Sequence, residues 1–340
     1  RQMLEAFPDT ALLTDVIHAA EAGARVAVMM NLVADAQRLA RDLGQQTSVP
    51  VDLFHARYRF VDRQEKEAAV LNHYGRTAHR DQGRILVATQ VVEQSLDLDF
   101  DQLITQICPV DLLFQRLGRL HRHDRPRPSG FATPHCTVLT VAGEDYGLHQ
   151  KIYGNARVLW RTQRWLERSI QIDFPAAYRD WIESVYQADD WADEPEAVRR
   201  QYALYEGQQL AAAWEAQQMI TLPRKTFGDD DATLTAHTRD GEMSLTVLPM
   251  QADGRLLAGI RLDDLDEGAQ AEAFNLHTVM VPASWRKSVL ADCATDEDGR
   301  YRLIFMADDT DAWVSHLGRY HLQYTADFGL ELRRDEGASP

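Results

Sequence analysis

The sequence predicts an α/β protein: a doubly wound, mostly parallel sheet, followed by a helical linker and a smaller β-rich C-terminal domain. Three observations carry this expectation. Up to about residue 147, short continuous apolar runs alternate with segments of helical period. From Leu148 to Leu222 the helical period continues without strand-like runs. Beyond residue 235 the pattern turns alternating, β-branched and aromatic, punctuated by Gly, Asp and Pro. The expected boundaries are 1–147, 148–235 and 236–332, with a disordered tail at 333–340.

The elements follow in order. Leu12 to Ala22 has apolar positions at helical spacing and stops at Gly23, a C-cap residue. Arg25–Asn31 (RVAVMMN) is nearly all apolar, as a strand buried on both faces should be. Val33–Leu43 is helical and is expected to end at Gly44. A strand at Val51–His55 and an amphipathic helix at Arg63–Tyr74 come next. Strands at Arg84–Thr89 and Gln102–Gln106, a helix over Asp111–Leu120 and a strand at Cys136–Val141 complete the sheet. In such sheets chemistry collects in the loops leaving the strands' carboxyl ends.

In the helical region Ile152, Ala156, Leu159, Leu166 and Ile170 make one apolar stripe, with Trp160 and Trp165 as packing anchors. Arg157, Arg161, Arg164 and Arg168 share a face, which is either solvated with local ion pairs or a phosphate-tracking ridge. Residues 224–235 (RKTFGDDDATLT) have no period and read as a linker. Strands are then expected at Leu245–Met250, Arg255–Leu262, His277–Val281, Tyr301–Met306 and Tyr320–Leu332, with an exposed turn at Asp292–Arg300.

Composition narrows the function classes. A chain of 340 residues suits two domains, or two and a connector. Its 45% hydrophobic and 26% charged content excludes wholesale disorder. No apolar run approaches the ~20 residues of a spanning helix, so no membrane partner is expected, and the cysteine usage fits a reducing cytosol, so the location expected is cytoplasmic. Cys108, Cys136 and Cys293 are odd in number, far apart and without CxxC spacing, which argues against a disulfide framework or a zinc site; no metal ligands are expected. The chain opens on Arg1, and the expectation is a piece of something longer. Residues 1–130 hold 16 Lys and Arg against 17 Asp and Glu, while residues 131–340 hold 20 against 35. A chain this acidic meets nucleic acid only through local arginine clusters in its first third.

The most informative stretch is QRLGRLHRH, Gln115–His123. On a helix and its exit, Gln115, Arg119 and Arg122 fall on one face and can converge. Guanidinium donors beside an amide suit a polyphosphate about to lose its γ-phosphoryl group, the amide positioning water. Gly118 allows close backbone approach. Upstream, ILVATQVVEQSLDLDF (Ile85–Phe100) ends a buried strand at Thr89 and continues into a polar loop with Gln90, Gln94, Ser95 and Asp97. Small hydroxyl and amide groups at a strand exit suit phosphate, and Asp97 suits a ribose hydroxyl.

Together these residues resemble the fifth and sixth motifs of the second RecA-like domain of superfamily 2 helicases, at Thr89–Asp97 and Gln115–Arg122. The wording ATQVVEQSLDLDFDQLITQICPVDLLFQRLGRLHRH, with an upstream HARYRFVDR segment (His55–Arg63), is similar to the helicase-nuclease of type I CRISPR systems, subtype I-E in particular. The resemblance is specific over roughly residues 20–125. It implies a RecA-like fold and, for the whole enzyme, ATP-dependent translocation along single-stranded DNA with degradation of foreign DNA. It implies ATP and magnesium as cofactors and the crRNA-guided surveillance complex (Cascade) as a partner. Carried over by residue, Arg119 and Arg122 would be arginine fingers, with Gln115 beside the γ-phosphate or its water. Gln94, Ser95 and Asp97 would face the nucleotide. Thr89 and Gln90, with His55, Arg57 and Arg63, would hold the DNA backbone. Arg116, on another face, is expected to partner an acidic strand-exit residue rather than the nucleotide.

The departures are equally definite. No GxxxxGK[ST] loop, no DExx box after a strand and no nuclease histidine–aspartate constellation occurs in these residues. The resemblance places those parts, and the nuclease metal ions, in N-terminal nuclease and first RecA-like domains that this sequence lacks. The fragment alone is then expected to be inactive; the alternative is a stand-alone binding module for the surveillance complex or the displaced strand.

Overall fold

The computed structural model describes residues 7–93, 96–169, 171–221, 244–296 and 299–334. Its first part is the expected α/β sheet. Helix α1 (Thr10–Glu21) is capped by Asp9, whose carboxylate accepts from the Leu12 N–H at 2.9 Å, and it turns out through Gly23 at φ +97°. Then follow β1 (Arg25–Met29), α2 (Val33–Gln46), β2 (Val51–Phe54), α3 (Phe60–Tyr74), β3 (Arg84–Ala88), β4 (Gln102–Gln106), α4 (Val110–Leu117) and β5 (His135–Leu139). The strand order is β2-β3-β1-β4-β5, with β1, β2, β3 and β4 parallel. Ala27, Met29, Phe54, Leu86, Ala88, Phe100 and Leu103 form the core with Val70 and Tyr74 of α3. β1 and β3 are buried almost throughout, which is why they read as continuous apolar runs.

Two expected helix ends are corrected. Gly44 does not stop α2, which continues to Gln46. A glycine inside a helix costs only about 1 kcal/mol, and the burial of Ala36, Leu39, Ala40 and Leu43 outweighs it. At the other helix, α4 ends at Leu117 rather than Leu120. Leu120 instead lies beside Phe100 as a parallel bridge, the Phe100 N–H donating to Arg119 O (2.9 Å) and the His121 N–H to Phe100 O (3.0 Å).

Compact units do not follow the three expected segments. Among the described residues, those of 107–114 and 139–221 cluster together, and those of 8–106, 115–138 and 244–334 form a second unit. The first holds α5 (Gly147–Tyr153), α6 (Ala156–Arg168), α7 (Ala177–Tyr186) and α8 (Glu196–Thr221). The apolar stripe is broken between α5 and α6 at Gly154, φ +72°, and Ile170 lies outside the described residues. The arginine face divides in two. Arg157 and Arg161 are buried, not solvated, and both bind Glu194, while Arg164 and Arg168 make ion pairs nearer the surface with Glu167 and Asp193. Trp165 stacks on Trp181 and Trp160 meets Trp191 edge-on, so the tryptophans pack.

The expected linker at 224–235 lies outside the described residues. Beyond it come β6 (Ser244–Gln251), α9 (Glu267–His277), β7 (Val279–Pro282), β8 (Tyr301–Ala307), β9 (Trp313–Leu317), β10 (Tyr320–Thr325) and β11 (Gly329–Arg334), in sheet order β11-β10-β9-β8-β6-β7. Neither α9 nor β9 is legible in the alternation. Arg255–Leu262 is not a strand but a tight reversal around Gly259, φ +81°, and Tyr320–Leu332 is two strands. Arg333 and Arg334 belong to β11; the rest of the expected tail lies outside the described residues.

The turn between β10 and β11 docks on the α/β sheet. Gln37 donates to Phe328 O (2.7 Å) and Leu330 O (3.1 Å), Tyr58 Oη to Asp327 O (2.7 Å), and the Leu330 N–H to Arg57 O (2.8 Å). Arg41 pairs with Glu331 at 2.7 Å. Gly329 sits at φ +66°, and a Cβ there would lie 2.4 Å from Arg57 O and 2.9 Å from His55 Cε1. Gly329→Ala is therefore expected to lower stability in urea unfolding by about 2 kcal/mol or more, strain and clash combined. Gly318→Ala, at φ +60° but in open space, should cost only about 1–2 kcal/mol.

Candidate functional site

Between β3 and β4 the chain crosses from one side of β1 to the other, and ligands of open α/β sheets bind at the carboxyl ends beside such a switch. The exit loops there are joined by one buried guanidinium. Arg116, on the last turn of α4, is fully buried. Its Nε donates to Glu93 Oε1 (2.8 Å), and one terminal nitrogen reaches the same carboxylate (2.6 Å) and Asn31 Oδ1 (3.2 Å). The other donates to Thr105 Oγ1 (2.6 Å) and Gln106 O (3.2 Å). Asn31 closes the network, its N–H donating to Gln106 Oε1 (2.6 Å) and its carbonyl accepting from Gln90 Nε2 (3.1 Å). Arg116 thus partners an acidic residue of the β3 exit, as its position on the helix implied.

Arg119 and Arg122 meet on the loop after β3, but not by helical spacing, because the helix has already ended at Leu117. The turn at Gly118 and the Leu120–Phe100 bridge carry them there. Arg119 is half-buried and donates to Glu93 O (3.0 Å) and, at the limit, to Val92 O (3.5 Å). Burial, and then the neighbouring Arg122 cation, lower its hold on its proton, with Asp97 only partly compensating. Arg122 Nε donates to Asp97 Oδ1 at 2.5 Å, and His123 Nε2 lies 3.1 Å from the same oxygen. Burial works against the Asp97 carboxylate, but the Arg122 hydrogen bond and His123 hold it below the usual range. Gln115 is exposed on α4; Gln94 and Ser95 lie outside the described residues.

A charge ladder missed by sequence reasoning supports this loop. In DLDFD, Asp97, Asp99 and Asp101 alternate with apolar residues, and the segment after Arg122 answers them. Arg127 spans Asp99 (2.9 Å) and Asp101 (2.9 Å), Arg125 reaches Asp99 (2.9 Å), and Arg80 binds Asp101 (2.8 Å). Asp99 and Asp101 are fully buried. Carboxylates at every second residue, facing arginines at 122, 125 and 127, were the signal available in the sequence.

Of the five residues expected on DNA, two are buried and three are half-buried. Thr89 is buried, its N–H donating to Phe54 O (3.2 Å), and Gln90 is tied to Asn31. His55 is corrected. It is fully buried and stacked on Tyr58, with centroids 4.4 Å apart. Its Nδ1 accepts from the Arg57 N–H (3.1 Å), so Nε2 carries the proton and donates to Phe328 O (3.1 Å). The imidazole seals the docked turn and presents nothing to a strand. Arg57 places its guanidinium over the Trp285 ring, 5.1 Å from the centroid. The carboxylate of Asp62 is taken by Arg59 (2.6 and 2.9 Å) and by Tyr324 Oη. Arg63 is half-buried on α3. Among the described residues no group of three or more His, Cys, Asp or Glu is placed to hold a metal ion, and no helix is long and apolar enough to cross a membrane.

Known proteins align with both parts of this second unit. The family model described as CRISPR-associated nuclease/helicase Cas3, C-terminal, matches residues 22–125, and that of the CRISPR-associated endonuclease/helicase Cas3 fourth domain matches residues 242–332. The CRISPR-associated endonuclease/helicase Cas3 of Escherichia coli K12 is 44% identical over 339 residues, covering 96% of this chain and 38% of that protein. The chain therefore spans well under half the length of this relative. A crystal structure of T. fusca Cas3 with ATP superposes with a TM-score of 0.74 at 22% identity, over 95% of this chain and 40% of that one. A chain of a CRISPR RNA-guided surveillance complex, pre-nicking, gives 0.74 at 24%, over 95% and 42%. These two likenesses concern the fold.

Two outcomes follow from the geometry. Arg116→Ala strands the Glu93 carboxylate and should cost about 3–5 kcal/mol in urea unfolding. Arg116→Lys, which keeps charge but loses the planar fork, should fall between it and the wild type. For His55, burial first and the Arg57 cation second push the ring down to about 3. The unfolded imidazole takes up its proton near pH ~6.5, so below that pH the unfolded state binds more protons. Stability should fall with acidification by about 1.4 kcal/mol per pH unit and level off near the folded value. His55→Gln, which keeps a donor and an acceptor but cannot ionise, should remove that slope in pH-dependent unfolding measurements.

Proposed function

With the chain identified as the C-terminal portion of a Cas3-family CRISPR-associated helicase-nuclease, we propose that it supplies the arginine side of a composite ATP site and part of a single-strand track. The observation that carries this reading is the pairing of Arg119 with Arg122 at the switch-point loop. Among the described residues Arg119 meets only backbone carbonyls there, and burial with the neighbouring Arg122 cation weakens its hold on its proton. Arg119 has no carboxylate partner among the described residues, and Arg122 holds one that is exposed, so the two guanidiniums can receive a further anion.

A triphosphate fits that need. Arg119 and Arg122 would hold its terminal phosphate oxygens, Gln115 would orient water, and Asp97 would take a ribose hydroxyl once Arg122 releases it. Gln94 and Ser95 would complete the nucleotide side. ATP, with magnesium bound by the first RecA-like domain, supplies the phosphoryl group whose negative charge these donors stabilise. The chain's own work is to carry two cations on a braced loop, so that domain closure brings them in without further ordering. Gln90, Arg57 and Arg63 contact phosphate and sugar rather than bases, because a motor moving along DNA must accept every sequence, while the buried Thr89 holds the β3 exit in place.

In the whole enzyme this serves ATP-dependent unwinding and degradation of foreign DNA in CRISPR interference, in the cytoplasm, on DNA opened by the crRNA-guided surveillance complex (Cascade). The nuclease and Walker-type parts are assigned to the remaining length of the relatives, and this chain alone is expected to show no ATP turnover.

The test is made in the full-length enzyme. Arg119→Ala or Arg122→Ala should lower DNA-stimulated ATPase by about 10³-fold, the range of arginine fingers, with single-strand affinity little changed. Loss of single-strand affinity with undiminished turnover per bound enzyme would instead make both residues backbone ligands and overturn the assignment.

A further inference from the structure

Strand β2 stands at the edge of the first sheet. The Ile85 N–H donates to Pro50 O (3.0 Å) and the Thr89 N–H to Phe54 O (3.2 Å), which fixes the parity of the parallel ladder. Asp52 and Phe54 turn their backbone groups to β3, and Val51 and Leu53 turn theirs outward. Among the described residues no strand lies beyond β2, and the outward N–H groups of Val51 and Leu53 meet no acceptor. Tyr58 Oη lies 3.4 Å from Leu53 O, but its proton goes to Asp327 O at 2.7 Å. Such an edge is a template for another strand, and proteins ordinarily cover or charge it.

Here the edge forms the floor of a groove of about 610 Å³ between α2 and α3. Side chains alternate across β2. Asp52 and Phe54 face α3, where Tyr74 Oη donates to Asp52 (2.7 Å) and Val70 packs with Phe54, so Val51 and Leu53 face α2. Small residues line both walls, Ala40 and Gly44 on α2 and Ala69 on α3, and a Cβ added at Gly44 would meet nothing within 4 Å. The flanking helices keep out a second sheet, while a single extended segment has room.

Charge selects the segment. The β10–β11 turn closes the carboxyl end of the groove with Asp327 and Phe328, and Arg41 and Lys66 line it with them. Arg41 lies over the Phe328 ring, 4.5 Å from its centroid, and gives one nitrogen to Glu331. Lys66 reaches Asp327 only at 3.7 Å, and that carboxylate is 88% exposed, so water and salt screen the pair. Asp52 is already held by Arg84 through both oxygens, at 3.0 Å each. The floor thus offers backbone donors, and one end offers loosely held positive charge.

We infer that this groove takes an extended acidic peptide segment of a partner protein, which adds as a further strand beside β2. Main-chain bonds to Val51 and Leu53 supply affinity, side chains of the segment fill the space at Gly44 and Ala69, and a carboxylate meets Arg41 and Lys66. None of the residues lining the groove belongs to the proposed nucleotide or single-strand contacts.

The probes are random phage-displayed peptides of about seven residues, longer than the edge they must cover. They are selected against the full-length enzyme, and the enriched sequences are synthesised with a fluorophore and titrated by anisotropy. Sequences carrying Asp or Glu should be enriched, and their binding should slow hydrogen exchange at the Val51 and Leu53 amides. Gly44→Phe fills the groove and replaces a helical glycine, so binding should weaken about tenfold or more while thermal stability holds or rises. Val51→Pro removes one outward N–H, leaves the β3 ladder whole and should weaken binding likewise. Lys66→Glu should weaken binding most at low salt. If selection enriches nothing, or the peptides bind Gly44→Phe and Val51→Pro as tightly as the wild type, the docking site is overturned. Enriched peptides without acidic residues, or indifference to Lys66→Glu, overturn the acidic partner. Should Gly44→Phe convert a wild-type dimer to a monomer in sedimentation, a second copy fills the edge and the partner assignment falls.

Discussion

A guanidinium taken wholly out of water must have its donors satisfied, and at Arg116 this requirement organises the sheet's functional edge. Its acceptors come from the exits of β1 (Asn31) and β3 (Glu93) and from the end of β4 (Thr105, Gln106). These segments are far apart in sequence and are brought together by the β2-β3-β1-β4-β5 order. Coulombic attraction in a poorly screened interior is strong, but so is the cost of desolvation; the pair is secure only because neutral acceptors complete the set. The consequence for function is rigidity. The loop bearing Glu93 also offers the carbonyls that hold Arg119, so one brace positions the charged residues that face solvent.

The aspartate–arginine ladder extends that brace. Asp99 and Asp101 have no route to water, and Arg80, Arg125 and Arg127 enclose them. Only the outer rung, Asp97 with Arg122 and His123, is substantially exposed. Screening weakens an exposed pair far more than a buried one, so the outer rung can exchange partners while the inner rungs hold the chain in place. This gradient of exposure gives one arginine a movable role and two others a fixed one, within six residues of the same basic segment.

The second sheet depends on a different kind of contact. The β10–β11 turn meets α2, β2 and the β2–α3 loop through backbone carbonyls, a neutral histidine and tyrosine hydroxyls, with Arg41–Glu331 at the margin. Backbone approach is close enough at Gly329 that only hydrogen fits there. Such contacts are short-ranged and direction-dependent, so they fix one domain on another more narrowly than an apolar patch would. The HARYR segment is thereby occupied by its own chain at His55 and Tyr58, leaving Arg57 at the rim.

Local chemistry was legible in the sequence where a residue's neighbours along the chain determine it. The apolar runs located β1, β3 and β4 to within a residue or two, because strands buried on both faces have no polar alternation to confuse them. That QRLGRLHRH and the loop after Thr89 both carry groups suited to phosphate was also readable, and a family resemblance joined them. What spacing could not give was the route. Arg119 and Arg122 converge through a bridge between Leu120 and Phe100, and Arg157 and Arg161 are buried by a partner, Glu194, over thirty residues away. His55 shows the limit most plainly: a histidine after a strand suits DNA as well as a domain contact, and only the arrival of Phe328, 273 residues later, excludes water and decides between them. Sequence determined which groups were available; burial, a property of the assembled fold, decided which were spent on holding it and which were left for a ligand.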